Sequence, residues 1–413
     1  MVSHSWTRLL KMNSKQISPV DNEIAVIIYT SGTTGAPKTV ELTHKNLLAN
    51  LDGIGRSLRF GKNDVFLSVL PLYHTFEATC GFLTPLMCGA SIVYARSFKS
   101  KEILEDISRN RITVMCGMPL LYEKMFHSFQ RKIASASFLR IILFKSMYTL
   151  SSILWKCGIK VGRKLFNSIR KKFGMDSIRM FVSGGAAIPP SIVRFFNLIG
   201  FYFMQGYGMT ETSPVISVNR PDSIKFGSVG PPLDNVDVRI NSPDLKGIGE
   251  ILVRGDNVTP GYRDNPGATS ELLQDGWLYT GDIGCLKDGH LWITGRCKSL
   301  IVSTSGKNIY PEELEEKLVE YGIILEVVVF GRKKQGKQGE EVRAVIVPDL
   351  EVMSSDCQSK LGQPDEDKIR QTVSEVVADV NSRIAAYKRI SAFEMQFEEL
   401  EKTSTQKNQT IHI

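Results

Sequence analysis

Between Tyr29 and Lys38 the chain reads YTSGTTGAPK. Thr30, Ser31, Gly32, Thr33, Thr34 and Gly35 are small or hydroxylated. Backbone N–H groups and hydroxyls of such a loop can surround phosphate oxygens without steric obstruction, and Lys38 can add a point charge. The spacing of Gly32, Gly35 and Lys38 lacks the GK[ST] ending of a Walker A loop. Further along lie SGGA (Ser183 to Ala186), QGYGMTE (Gln205 to Glu211), YTGD (Tyr279 to Asp282), Gly295-Arg296 and KSLIVSTSGKNIYPEE (Lys298 to Glu313). The seven cysteines, Cys80, Cys88, Cys116, Cys157, Cys285, Cys297 and Cys357, include no CxxC pair and are odd in number. That argues against a disulfide framework or zinc site and for a reducing cytoplasm. The six histidines are dispersed without metal-ligand spacing.

The string YTSGTTGAPKTVELTHKN resembles the phosphate loop of the acyl-adenylate superfamily, which includes acyl-CoA synthetases, firefly luciferase and peptide-synthetase adenylation domains. Its one departure is Thr39, where glycine is usual, and that position lies past the loop. By the same resemblance Gly184, Gly185 and Ala186 form an adenine-side loop, whose paired glycines let backbone approach the base. Gln205, Gly206 and Tyr207 continue the nucleotide site, with Tyr207 stacking on adenine. Thr210 would hydrogen-bond the α-phosphate, and Glu211 would hold Mg²⁺, a hard cation that takes few carboxylates besides phosphates. Asp282 would accept hydrogen bonds from the ribose hydroxyls, with Arg296 a second ribose or phosphate contact. GEILVRG (Gly249 to Gly255) resembles a structural block of the family, so Arg254-Gly255-Asp256 is read as a turn.

Lys298 stands at the family's hinge position, and Gly306 in the loop that enters the site for thioester formation. Ser299 replaces a frequent acidic residue there. The tail LEKTSTQK places Lys407 at the family's closing lysine, with Lys402 the competing candidate. His74, in PLYH, matches an aromatic or histidine position near the acyl pocket; the plainer reading is a structural histidine. The resemblance implies use of ATP and Mg²⁺ to convert a carboxylate to an acyl-adenylate, then transfer to CoA. Long-chain fatty acid is the expected substrate, since the segment after Leu120 and the wording GKNIYPEELEEKL resemble bacterial long-chain ligases. An acyl-carrier-protein acceptor stays open. So does a shortened, inactive form, because family members carry many more residues ahead of the loop that here starts near Tyr29.

These motifs need elements to position them. IAVIIY (Ile24 to Tyr29) predicts a buried strand running into the glycine loop. THKNLLANL (Thr43 to Leu51) predicts a helix with a threonine cap directly after it. Strands at 65–69, 90–94, 113–117 and 180–183 alternate with helices, which implies α/β layers. From about 225 to 297 short alternating strands and Gly/Pro turns predict a small β-rich subdomain, with Asp288-Gly289 a hairpin turn. The expected architecture is α/β, with a large N-terminal domain over 1–297, its first subdomain incomplete. A small mobile α+β C-terminal domain follows over 298–413.

The 413 residues are 42% hydrophobic and 23% charged, with net charge +8, as for a globular protein of two or three domains. The polar stretch 1–20 is not expected to be a signal peptide. Lys124 to Met175 contains no Asp or Glu and twelve basic residues interleaved with Leu, Ile, Phe and Trp. That texture suits a basic amphipathic region on an anionic bilayer, at the inner face of the membrane, or a solvated hairpin with its apolar stripe on the core. Arg140, Lys145, Lys156 and Lys160 interrupt the apolar run, so no spanning helix is expected. No nucleic-acid partner is expected.

Overall fold

The computed structural model describes residues 21–30, 37–303, 305–333, 339–353, 365–398 and 400. The core of the N-terminal part is a six-stranded sheet. Its strands are β3 (Val65–Ser68), β4 (Ser91–Tyr94), β5 (Val114–Gly117), β6 (Met180–Ser183), β7 (Tyr202–Gly208) and β8 (Val215–Val218), in the order β4-β3-β5-β6-β7-β8. The first five are parallel and β8 returns antiparallel to β7. Alternate residues feed opposite faces. Phe66, Val114, Val182 and Met204 join one apolar core, while Leu67, Met115, Phe181 and Phe203 join another. A parallel sheet covered on both faces requires this nearly unbroken apolar run.

β1 (Ile24–Thr30), β2 (Lys38–Thr43) and β11 (Gly261–Tyr262) form a separate three-stranded sheet in the order β1-β2-β11. The expected buried strand is therefore an edge strand. Ile24, Val26 and Ile27 are exposed and Tyr29 is 74% exposed, because among the described residues β1 pairs on one side only. The glycine loop joins β1 to antiparallel β2, not strand to helix. Helix α1 (His44–Ser57) begins after β2, on the expected cap: Thr43 Oγ1 accepts from Asn46 N, and Asn46 Oδ1 accepts from Thr43 N.

The β-rich region holds β9 (Val236–Asn241), β10 (Gly249–Gly255), β12 (Leu273–Gln274), β13 (Trp277–Lys287) and β14 (His290–Arg296). They order as β12-β13-β10-β9, with β14 on β13. β13 and β14 turn at Asp288 and Gly289, both at positive φ. The helices over the large sheet are α2 (Ser100–Asn110), α3 (Pro119–Ala134), α4 (Phe138–Lys156) and α5 (Pro190–Leu198). Beyond Lys298 come the small pair β15 (Ile301–Val302) and β16 (Asn308–Ile309) and helix α6 (Pro311–Val319). β17 (Ile324–Lys333), β18 (Glu340–Pro348), helix α7 (Glu366–Arg383) and β19 (Ala392–Met395) follow. A third core, from Ile301 to Ile390, draws only on these residues.

One expectation for the basic segment changes. Arg170 is 1% exposed: its guanidinium donates to the carbonyls of Gly200 and Ile178 and stacks 4.1 Å from the Phe201 ring. Burial lowers its pKa to about 10. It is thus a core residue and not part of a lipid-facing set. Helix α4 is also long and apolar enough, by length and composition, to cross a membrane, although charges interrupt it.

Candidate functional site

The parallel strands β5, β6 and β7 end on the same side of the sheet, and the SGGA and QGYG motifs lie at those ends. Ligands of open α/β sheets bind there. A cleft of about 1960 Å³ opens over them and reaches β14, β15–β16 and α6. Gly185, Ala186, Gln205, Gly206 and Tyr207 line it from the sheet, and Asp282 and Arg296 from the β13–β14 hairpin. Lys298 and Gly306 line it from the C-terminal part. Gly208, beside them, must be glycine: a Cβ there would lie 1.9 Å from the Pro214 carbonyl oxygen.

Asp282 is the best-defined polar group in the cleft. It sits opposite Arg296 in the β13–β14 register. Tyr207 Oη donates to Asp282 Oδ2 at 2.7 Å, and Arg296 Nε lies 3.1 Å from Oδ1. Burial, then the Asp282 charge, pushes the Tyr207 phenol well above its ordinary range, so the phenol remains a donor. A carboxylate offers about four lone-pair positions. Held by two donors, Asp282 retains capacity for hydroxyls of a ligand in the cleft.

A second group forms beside β2. Thr30 Oγ1 donates to the Lys38 carbonyl at 3.3 Å, closing the strand ends that flank the glycine loop. Lys38 Nζ lies 4.7 Å from the Tyr262 ring centroid. Tyr262 Oη donates to Glu211 Oε1 at 2.7 Å, and Glu211 is buried. Ammonium, aromatic ring and carboxylate therefore stand in a row. Thr210 begins the short 3₁₀ turn Thr210–Thr212 that carries Glu211. Among the described residues no group of three or more His, Cys, Asp or Glu could hold a metal. A single buried carboxylate such as Glu211 fits a cation that takes most of its ligands from phosphates.

The cleft does not reach Gly184, His74, Thr30, Lys38, Thr210 or Glu211. The His74 ring lies 4.5 Å from the Tyr73 ring, tilted by 46°, and its backbone carbonyl accepts from Ala78 N, just before a π-helical segment, Glu77–Leu83. Ser31, Gly32, Thr33, Thr34, Gly35, Lys402 and Lys407 lie outside the described residues. The far wall is acidic. Burial raises Glu312 and Glu316, and raises Glu315 to about 8 although Val329 N donates to it at 2.8 Å.

Two residues escaped sequence reasoning. Tyr262 lies in a two-residue strand, too short to leave a pattern, and only its pairing with Val40 brings it beside Lys38 and Glu211. Glu77 is fully buried within the π-helical segment. Its one signal is an acidic residue set among apolar neighbours in HTFEATCGF.

The family described as AMP-binding enzyme matches residues 3–263, and its C-terminal domain matches residues 313–407. The chain is 30% identical to the probable acyl-activating enzyme 16, chloroplastic, of Arabidopsis thaliana, over 86% of this chain and 55% of that protein. It is 28% identical to the long-chain-fatty-acid–[acyl-carrier-protein] ligase AEE15, chloroplastic, of the same plant, over 80% of this chain and 52% of that one. Identity is 29% to a long-chain-fatty-acid–CoA ligase of Bacillus subtilis, over 98% and 64%. The chain thus spans about half the length of the first two relatives. Among solved structures it is similar to an ATP-bound RpMatB–BxBclM chimera, with TM-score 0.73, 27% identity and coverage of 95% of this chain and 68% of the other. It is likewise similar to o-succinylbenzoate CoA synthetase of Bacillus subtilis in complex with the acyl-adenylate OSB-AMP, with TM-score 0.72, 25% identity and coverage of 94% and 69%. The chain belongs to the AMP-binding enzyme family.

Proposed function

We propose that this protein activates a long-chain fatty acid with ATP and passes the acyl group to CoA. A carboxylate oxygen of the acid attacks the α-phosphorus; that P–O bond forms as the bond to pyrophosphate breaks. The CoA sulfur then attacks the acyl carbon, and AMP leaves. The carrying observation is Asp282, held between Tyr207 and Arg296 in the cleft, where its carboxylate would accept from ribose hydroxyls. Lys38 and Glu211 would face the phosphates, with Glu211 holding Mg²⁺, which would offset phosphate charge. Lys298, at the start of the stretch that leads into the third core, is the proposed hinge between domains 1–297 and 298–413.

The test is ATP–pyrophosphate exchange over a panel of carboxylates, followed by thioester formation with CoA or carrier protein. Long-chain acids should support exchange best. Asp282→Ala should weaken ATP binding, whereas Glu211→Gln should raise the Mg²⁺ requirement. Equal effects of both changes on Mg²⁺ dependence refute the division of roles. Absence of exchange with every acid refutes the catalytic reading for this chain alone. Similarity to a carrier-protein ligase, together with the exposed basic surface, supports the second acceptor. Acyl transfer to carrier protein but not to CoA would select it.

A further inference from the structure

Helix α4 is apolar on two sides. Its inner stripe is committed to the core: Phe144, Met147 and Tyr148 pack there, and the buried Ser151 Oγ donates to the Leu198 carbonyl at 2.7 Å. The opposite side carries Phe138, Leu139, Ile142, Leu143, Leu150 and Ile153, all exposed. At about 100° per residue these six fall within one arc of about 140°. Only hydroxyl side chains, Ser146 and Thr149, interrupt the arc. Leu139 is 78% exposed and Leu143 60%. An apolar face of this length in water marks an interaction surface.

Its electrostatic setting says what it meets. Lys145 and Lys156 border the arc on one side and Arg140 lies beyond the other. Eleven of the twelve basic residues between Lys124 and Met175 are exposed, with no Asp or Glu among them. Arg194 of α5 reaches the outer end of α4, donating to Ser152 Oγ at 2.8 Å. A second copy of the chain would bring like charge against like charge. A bilayer surface with anionic headgroups instead offers phosphates to the basic rim and acyl chains to the apolar arc. Crossing the bilayer would strip the inner stripe from the core, whereas a flat orientation leaves that packing intact.

We propose that α4 docks the protein on an anionic lipid surface, with its outer arc in the interface and the basic residues at headgroup level. This goes beyond the catalytic reading and stands whether or not that reading holds.

The experiment is co-sedimentation of the full chain with phosphatidylcholine vesicles, with and without phosphatidylglycerol. Binding is expected only with phosphatidylglycerol and should weaken as salt rises. Leu139→Glu/Leu143→Glu should lower vesicle affinity by roughly tenfold or more, with circular dichroism and melting unchanged because both side chains are exposed. Lys145→Glu/Lys156→Glu should weaken anionic binding without touching the apolar arc. Equal binding to both vesicle types, no binding at low salt, or unchanged binding by both variants overturns the proposal. So does a lipid-free dimer that Leu139→Glu/Leu143→Glu dissolves, which assigns the face to a second copy.

Discussion

Glu77 should make stability fall as pH rises through neutrality, and Glu77→Gln should remove that dependence. The carboxyl is fully buried in the π-helical turn, where burial raises its pKa from 4.5 to about 7. Ser68 and the Leu70 backbone lie near enough to oppose the rise, but neither carboxyl oxygen has a partner in hydrogen-bond geometry. The sign follows from linkage. Below pH 4.5 folded and unfolded states both hold the proton. Between 4.5 and about 7 only the folded state does, so each step upward costs stability; above 7 the loss is complete. Each pKa unit is worth about 1.36 kcal/mol, so the full loss is about 3 kcal/mol. Urea midpoints of both proteins from pH 4 to 8 measure it. Glu123 and Glu315, raised to about 7 and about 8, titrate in the same window, but both proteins carry them and they cancel in the difference. A difference between the two proteins that is constant with pH, or that favours native Glu77 as pH rises, refutes the reasoning.

Gly81→Ala should destabilise by about 1–3 kcal/mol, because the new Cβ would stand 2.1 Å from Glu77 Oε1. Adding Glu77→Ala should restore most of the loss in melting temperature, and no recovery would show that the clash is not the cause. Tyr262→Phe removes the donor to the buried Glu211 carboxylate and should cost about 1.5–3 kcal/mol in urea unfolding. If exchange activity is present, it should also raise the Mg²⁺ requirement; unchanged stability and unchanged Mg²⁺ dependence together would remove Tyr262 from the site.

The sequence was most legible where the physics is local. The Thr43 cap needs only Asn46, three residues on, and the Asp288-Gly289 turn needs only two residues that tolerate positive φ. Parallel strands show as short apolar runs because both sheet faces are buried. Burial of β1 was not legible. Ile24 to Tyr29 has the composition of a core strand, but exposure is set by how many strands flank it, and among the described residues β2 alone pairs with it. The outward apolar arc of α4 was half legible. Composition gave an apolar basic helix, but which residues face the core depends on α5 and its neighbours.

Assembly of the site shows why motif reading alone leaves gaps. YTSGTTGAPK, YGMTE and YTGD each suggest by resemblance a ligand contact, but none says how these residues are fixed relative to one another. That task falls to residues outside the motifs. β2 pairs with β1 on one edge and with Gly261–Tyr262 on the other. The second pairing sets the Tyr262 ring under Lys38 and its hydroxyl on Glu211. A two-residue strand thereby couples the cation of one motif to the carboxylate of another. Asp282 is set by the same logic: its β13–β14 register supplies Arg296, and the end of β7 supplies Tyr207. In both cases a phenol hydroxyl donates to a carboxylate, Asp282 proposed for the ribose and Glu211 proposed for Mg²⁺, so each is oriented by the protein while keeping acceptor capacity for a ligand.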